Sequence, residues 1–425
     1  MAIKLLGNIN HATNSKAVKP LLATALDSVR IQRLPFRRHE NLKGWDAADE
    51  LLLNTLAEKH RGILDNTSTP ILVVNDTFGA LTTSLRQYPV DNWSDSSIAH
   101  AAAAINYTDN TGNTATESAA GFTAVPSTQA LQNQYAIVLF KIPKTLKLLE
   151  QQLIQVRAHI DSHTLFIAAG MTKTIHKSTL ALFERLIGDT STSLAKKKAR
   201  LIFTSASTRS TNKVGGDTLM SSEYHCDALK ISLLNYANSF SREHLDIGAR
   251  AMIEAIQQAG QNATLPQANA IADLGCGNGV LGLVALKQLA ASVAPDTART
   301  RRSIWFIDES YMAIACCEKN FTALNTHQHI DAEVTLLAQD GLTNMANNSL
   351  DWIICNPPFH SGTAINTAIA NRMFKQSHQC LRRNGQLWVV ANRHLNYQQV
   401  LQRIFSNHRV IYRNSKFVVI SVIKR

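Results

Sequence analysis

In the second half of the chain, short apolar runs alternate with longer amphipathic stretches. AIADL from Ala270, SIWFI from Ser303, EVTLL from Glu333, LDWIIC from Leu350 and QLWVVA from Gln386 have the length and β-branched content of buried strands. Helically spaced stretches begin at Val280 and at Tyr311, a third runs from after LDWIIC to about Leu381, and a fourth lies near Tyr397. This alternation predicts a parallel sheet covered by helices. The final RVIYRNSKFVVISVI predicts two strands around a turn at Asn414 and Ser415, so that an antiparallel strand completes the sheet.

The first half repeats the rhythm with TPILVVND from Thr69, AIVLFKIPK from Ala136, HTLFIAAG from His163 and a helical STLALFERLIG from Ser178. ILVVNDTFGAL aligns with IADLGCGNGVL, and AIVLFKIPK with DWIICNPPF, as expected of a second copy of one fold; the alternative is two unrelated α/β domains. A first copy would have lost its chemistry. It keeps only Gly79 of the loop glycines, and Lys141-Ile142-Pro143-Lys144 stands where the later segment has an amide and two prolines. Stretches rich in small polar residues, Ser94 to Gln129 and Ser205 to Ser222, predict loops. The second is the predicted linker, giving domains at 1–204 and 223–425 joined by 205–222.

Composition narrows the partners. The chain has 425 residues, 45% hydrophobic and 17% charged, with a formal net charge of +12. An excess of Lys and Arg attracts polyanions such as a phosphate backbone. Cys226, Cys276, Cys316, Cys317, Cys355 and Cys380 form no C-x-x-C pair, so neither a disulfide framework nor a zinc site is expected. The opening MAIKLLGNINHATNSKAVKP has too short an apolar run for a signal peptide, and no stretch is long enough to span a membrane. A soluble, reduced, cytoplasmic protein with no membrane partner and no metal is the expectation.

The motifs locate the chemistry. Asp273-Leu274-Gly275-Cys276-Gly277-Asn278-Gly279 falls directly after a strand and before a helix. Glycines there permit tight turning and let a ligand lie against backbone and helix N-terminus. An acid at Asp273 repels pyrophosphate but suits the sulfonium and ammonium of S-adenosylmethionine, which favours a methyl donor over a dinucleotide. Asp308 ends the next strand, where a carboxylate accepts from ribose hydroxyls or caps the following helix; Asp340 follows the third, within reach of an adenine amino group.

Asn356-Pro357-Pro358-Phe359 follows the fourth strand. An amine conjugated to a base is a poor nucleophile, so it must be held in line with the methyl donor. The Asn356 side-chain oxygen and the Pro357 carbonyl are acceptors for its hydrogens, the prolines stiffen the backbone, and Phe359 offers a face for a flipped-out base. His360 reads as a structural loop residue, because water suffices to take a proton from a cationic amine. The run Lys196-Lys197-Lys198 with Arg200, and Arg242, Arg250, Arg382, Arg383 and Arg393, are candidate phosphate contacts among which the sequence does not choose.

Along nearly its whole length the chain resembles the RlmG family of large-subunit ribosomal RNA guanine-N2 methyltransferases, siblings of RsmC. The resemblance rests on WDAADELLL from Trp45, LVVNDTFGAL from Leu72, KIPKTLKLLEQQL from Lys141, LAKKKARLI from Leu194, FSREHLDIGAR from Phe240, DLGCGNGVLGL from Asp273, NPPFH from Asn356, VVANRHLNY and SKFVV. It implies an α/β fold of two tandem Rossmann-like class I methyltransferase domains, the second with a seven-stranded, mostly parallel sheet ending in an antiparallel strand. It also implies that the N-terminal domain is degenerate and helps to hold RNA. Cofactor contacts for S-adenosylmethionine fall on Phe240, Ser241, Asp273, Gly275, Gly277, Asp308, Asp340 and Asn356, and target-base contacts on Asn356, Pro357, Pro358 and Phe359. The implied partner is 23S rRNA, naked or in a partly assembled large subunit. Two regions, Ser94 to Gln129 and Ala291 to Arg302, look longer or more polar than the family pattern. Similar N-P-P-aromatic motifs serve adenine N6 and glutamine amide methyltransferases, and a noncatalytic rRNA-binding assembly factor is the reading from another class.

Overall fold

The computed structural model describes residues 19–36, 41–112, 121–207, 219–291, 301–358 and 364–425. The chain divides into an N-terminal unit that ends at Met220 and a C-terminal unit, Ser221–Arg425. The break falls within the 205–222 segment, of which residues 208–218 lie outside the described residues.

The N-terminal unit opens with a hairpin, β1 (Leu21–Ala23) and β2 (Ser28–Arg30), then helices α1 (Ala47–Lys59) and α2 (Arg61–Asp65). Asp46 caps α1 by accepting from the backbone of Ala48 and Asp49, while the Asp49 side chain accepts from the Asp46 N–H. There follow β3 (Ile71–Val74), α3 (Ala80–Ser84), β4 (Val90–Ser94), α4 (Ser97–Thr111), β5 (Phe122–Pro126), β6 (Ile137–Lys141), α5 (Leu146–Arg157), β7 (Leu165–Met171), α6 (Lys177–Leu186), β8 (Thr190–Thr192) and β9 (Ala199–Thr204). The seven-stranded sheet has the order β5-β4-β3-β6-β7-β9-β8, in which β9 runs antiparallel to both its neighbours. Central β3 is buried at every position, as a strand covered on both faces must be.

One sequence expectation is corrected here: Ser94 to Gln129 is not a loop, because α4 and β5 occupy most of it. Residues 113–120 within it lie outside the described residues. The alanines of SIAHAAAAINYTDNT are strong helix formers but too small to give an apolar periodicity. The Ser96 side chain caps the helix, and Gly112, at φ 75°, ends it. Small residues are needed at that place, since a β-carbon on Gly79 would lie 2.4 Å from the Ala103 backbone.

The C-terminal unit repeats the plan with hairpin β10 (Ser222–Cys226) and β11 (Ile231–Asn235), then α7 (Ile247–Gln261), β12 (Ala270–Leu274), α8 (Val280–Ala291), β13 (Arg302–Asp308), α9 (Tyr311–Gln328), β14 (Ala332–Ala338), β15 (Leu350–Cys355), α10 (Ala364–Cys380), β16 (Leu381–Asn392), α11 (Tyr397–Phe405), β17 (Arg409–Arg413) and β18 (Phe417–Ile423). Its sheet order, β14-β13-β12-β15-β16-β18-β17, matches the first sheet position for position. The last strand in sequence, β18, is antiparallel to β16 and β17, as the closing segment predicts. Strand β16 starts earlier than QLWVVA, because Leu381 pairs with Leu350 before a register shift. The polar LRRNG between hides that start from a hydrophobicity pattern.

In both units a buried asparagine ties the glycine-loop segment to the hairpin or to the residues just after it. Asn106 accepts from Gln32 N at 3.1 Å and donates to Gln32 O at 2.9 Å and Phe78 O at 2.7 Å. Asn320 accepts from Leu234 N at 2.8 Å and donates to Leu234 O at 3.0 Å and Asn278 O at 2.9 Å. Such matching side-chain networks, together with identical strand orders, mark the two units as copies of one design. Among the described residues no helix is long and apolar enough to cross a membrane.

Candidate active site

The candidate residues of the C-terminal unit gather at the carboxyl edge of its sheet. Leu274, the last residue of β12, pairs with Ile307 of β13 on one side and Cys355 of β15 on the other. Gly275, Asp308 and Asn356 therefore leave neighbouring strands side by side. The Ile307 carbonyl accepts from Gly275 N at 2.8 Å and Cys276 N at 3.0 Å, which folds the glycine loop over β13. Gly275 and Gly277 have φ of 72° and 54°, and a β-carbon on Gly277 would meet nothing within 4 Å. At Gly277 the loop thus shows bare backbone to open space.

Tyr224, Asn235 and Asn320 brace that loop. Asn278 donates to Tyr224 Oη and to Asn235 Oδ1, each at 3.0 Å, and Asn320 holds its carbonyl. None of the three stands in a motif, so the sequence carried no signal for them.

Asp273 is 1% exposed. Its Oδ2 accepts from Gly282 N at 2.8 Å, in the first turn of α8, whereas Oδ1 is buried without a partner. Burial, helped by the charge of Asp308, pushes its pKa up to about 8. Asp308 accepts from Gly277 N and Ser310 N, both at 3.0 Å, so it joins the glycine loop to the start of α9. The cap of α9 itself is Ser310, whose side chain accepts from Ala313 N.

Asp340 is ion-paired with Arg372 of α10. One turn further along, Gln376 accepts from Leu342 N and donates to Thr343 Oγ1, each at 3.2 Å. These two α10 residues hold the 340–343 loop, a role with no motif to announce it. Ahead of α7, Phe240 is 52% exposed, and Ser241, at φ 54°, donates from its hydroxyl to His244 O at 2.7 Å.

Asn356 is the centre of the arrangement. Its Nδ2 donates to Asp246 Oδ2 at 3.2 Å, and its Oδ1 is buried without a hydrogen-bond partner. Asp246 is the cap of α7, and the same oxygen accepts from Ala249 N at 2.9 Å. Pro357 is buried and Pro358 exposed; Phe359 and His360 lie outside the described residues.

Of the candidate cations, Lys197 pairs with Glu50 at 2.8 Å and Arg382 with Asp351 at 2.8 Å. All six cysteines are buried and free, and among the described residues no cluster of His, Cys, Asp and Glu could hold a metal ion.

The same edge of the N-terminal unit is closed by its own side chains. Val73 occupies the position of Asp273, and Asp76 from the loop accepts instead from the N–H and hydroxyl of Thr82, each at 2.8 Å. Asn75 donates to the Lys141 carbonyl at 2.9 Å and exchanges hydrogen bonds with Gln152. Lys141, at the position of Asn356, sends its ammonium to Asp46 at 2.8 Å and Asp49 at 2.7 Å. An ammonium is a donor only, so it offers nothing that could orient an amine.

Comparison with known proteins agrees with this division. The model of the RLMG N-terminal domain matches residues 19–208, and that of the methyltransferase small domain matches residues 230–421. The ribosomal RNA large subunit methyltransferase G of Aeromonas hydrophila is 38% identical over 411 residues, covering 96% of this chain and all of the relative. The chain belongs to the ribosomal RNA large subunit methyltransferase G family. The member from Colwellia psychrerythraea is 37% identical over 405 residues, covering 93% of this chain and 97% of that one. Among solved structures, the Thermus thermophilus 16S rRNA N2 G1207 methyltransferase RsmC, in complex with AdoMet and guanosine, matches with a TM-score of 0.71 at 15% identity, covering 96% of this chain and 98% of that one. That likeness establishes the two-unit fold for this member of the methyltransferase G family.

Proposed function

We propose that this chain transfers a methyl group from S-adenosylmethionine to the exocyclic N2 of one guanine in 23S rRNA, with the chemistry confined to the C-terminal unit. The observation that carries the reading is the state of Asn356. Its amide nitrogen is committed to Asp246, which leaves a buried, unpartnered oxygen beside the glycine loop. A buried acceptor without a donor is costly, and an incoming amine removes that cost.

The residues fit the cofactor. Asp273 Oδ1 is an unpartnered buried acceptor suited to a cationic group, Gly275 and Gly277 leave backbone free for close approach, and Asp308 at the end of β13 and Asp340 in the loop after β14 stand where the ribose and adenine belong. Phe240 and Ser241, in the segment ahead of α7, are the further cofactor contacts of this reading. When bound, S-adenosylmethionine supplies an electrophilic methyl group.

Asn356 Oδ1 and the Pro357 carbonyl accept the two amine hydrogens, which turns the nitrogen lone pair towards that methyl group. Pro357 and Pro358 restrict the backbone so that both acceptors are preorganised. Phe359 stacks on the flipped-out base. After transfer the nitrogen is cationic and loses its proton to water.

The N-terminal unit, with its own site closed, is left to hold RNA. Lys144, Lys196 and Lys198 in loops, and Lys173 in a 3-10 turn after β7, are exposed at the carboxyl edge of its sheet. The substrate is 23S rRNA, naked or in a partly assembled large subunit, and the site of action is the cytoplasm.

The test is methyl incorporation from labelled S-adenosylmethionine into 23S rRNA that lacks the modification, with nucleoside analysis of the product. N2-methylguanosine is expected. N6-methyladenosine would replace the acceptor in this reading, and no incorporation into naked RNA or subunits would favour a noncatalytic assembly factor.

A further inference from the structure

We propose that Asp246 is a positioning residue for methyl transfer: it selects which end of the Asn356 amide faces the target amine. The inference rests on the reading that Asn356 Oδ1 accepts from that amine. A carboxamide has nearly the same shape when turned over, so an unrestrained Asn356 would present its NH2 group to the substrate in part of the molecules. Two donors would then face each other. A carboxylate is acceptor-only and admits only the nitrogen end of the amide. Asp246 Oδ2 takes Asn356 Nδ2 at 3.2 Å, and the oxygen end is left buried and unpartnered.

Asp246 is itself fixed. It caps α7, and its Oδ2 also accepts from Ala249 N at 2.9 Å, so its carboxylate is anchored to the first turn of a 15-residue helix. The N-terminal unit keeps the same tie with other chemistry: Asp46 caps α1 and takes the ammonium of Lys141, the counterpart of Asn356, at 2.8 Å. A helix-capping aspartate that reaches the residue after the fourth strand is therefore a built feature of both units. Only in the C-terminal one does the tie leave an acceptor free.

Three variants separate positioning from capping. Serine caps helices about as well as aspartate but is too short to reach Asn356, so Asp246→Ser keeps the cap and frees the amide. We expect kcat on 23S rRNA to fall about 10- to 100-fold. The KM values for cofactor and RNA and the thermal midpoint should stay close to those of the wild type. Asp246→Asn retains an oxygen that can accept from both partners and should restore most of the lost turnover. In an Asn356→Ala background, Asp246→Ser should cost nothing further, because the two act through one contact. Wild-type turnover by Asp246→Ser, an undiminished loss in the Asn356→Ala background, or a lowered midpoint that Asp246→Asn does not rescue would each overturn the positioning role. A wild-type chain that forms no N2-methylguanosine would instead overturn the functional reading beneath it.

Discussion

Lys141 holds in the N-terminal unit the place that Asn356 holds in the C-terminal one. Phe140 pairs with Val74 and Cys355 with Leu274, so each residue follows the partner of the last residue of a central strand. Each also reaches the aspartate that caps the helix ahead of that strand, Asp46 or Asp246. The difference lies in what remains: the amide keeps a free acceptor, while the ammonium is consumed by two carboxylates.

Lys141 should therefore matter to stability and not to catalysis. Asp49 is 6% exposed, and burial pushes its pKa up to about 6 even with Lys141 beside it. Replacing Lys141 with Met strands that carboxylate and should destabilise the N-terminal unit by about 3–5 kcal/mol. A raised carboxyl pKa means that the folded state takes up a proton as the pH falls, so the loss should be larger at pH 8 than at pH 5. Adding Asp49→Ala, the residue type at Ala249, should recover part of it. Urea unfolding at the two pH values checks this; a loss below about 1 kcal/mol at pH 8 would show that the pair is dispensable.

The glycines predict a second contrast. Gly79 has φ of 78°, and a β-carbon there would lie 2.4 Å from the Ala103 backbone, which cannot move without moving α4. Gly79→Ala should cost the N-terminal unit about 1–3 kcal/mol or more while leaving cofactor affinity intact. Gly279→Ala, whose β-carbon would lie 2.5 Å from Cys317 Sγ, should weaken cofactor binding as well. Thermal unfolding combined with calorimetric titration of S-adenosylmethionine separates the two. Packing explains why Gly79 persists in a loop that has lost its other glycines.

The buried strands were legible because each holds a run of three or four apolar residues, ILVV, AIA, IWFI and WIIC, and the glycine loop and Asn356 because they directly follow two of those strands. Helix α4 was not legible, since its buried face is made of Ala99, Ala102 and Ala103 with polar His100 and Asn106, and Tyr107 is the only large ring on it. The bracing of the site was equally hidden. Asp246, Arg372, Gln376 and Asn320 act across distances in sequence that only the sheet brings together, and no local pattern distinguishes them from surface polar residues. Asp246 lay inside a stretch that carried the family resemblance, yet its contact with Asn356 spans 110 positions.

Asp273 gives cofactor binding a pH dependence. With its carboxyl raised to about 8 in the folded chain, it is largely protonated at pH 6.5. A cationic cofactor beside Oδ1 favours the ionised form, so binding should release a proton below pH 8. Affinity should then rise with pH, by at most tenfold per unit, and level off above about pH 8. Without ligand the sign for stability is the reverse: the raised pKa stabilises the fold at low pH, and that contribution is lost as the pH rises towards 8. Asp273→Asn should bind weakly at every pH. Calorimetry in buffers of different ionisation enthalpy reads the proton release directly, and an affinity independent of pH between 6.5 and 8.5 would place Asp273 away from the cofactor's charge.

The most direct test of the whole account is the single-turnover rate of methyl transfer to 23S rRNA by the wild type and by Asn356→Ala, each with saturating S-adenosylmethionine and with cofactor affinity measured in parallel. The rate should fall about 100-fold or more, with cofactor affinity changed little, because Asn356 Oδ1 acts on the amine in the transition state. An unchanged rate would contradict that role and move the chemistry away from the Asn356-Pro357 edge.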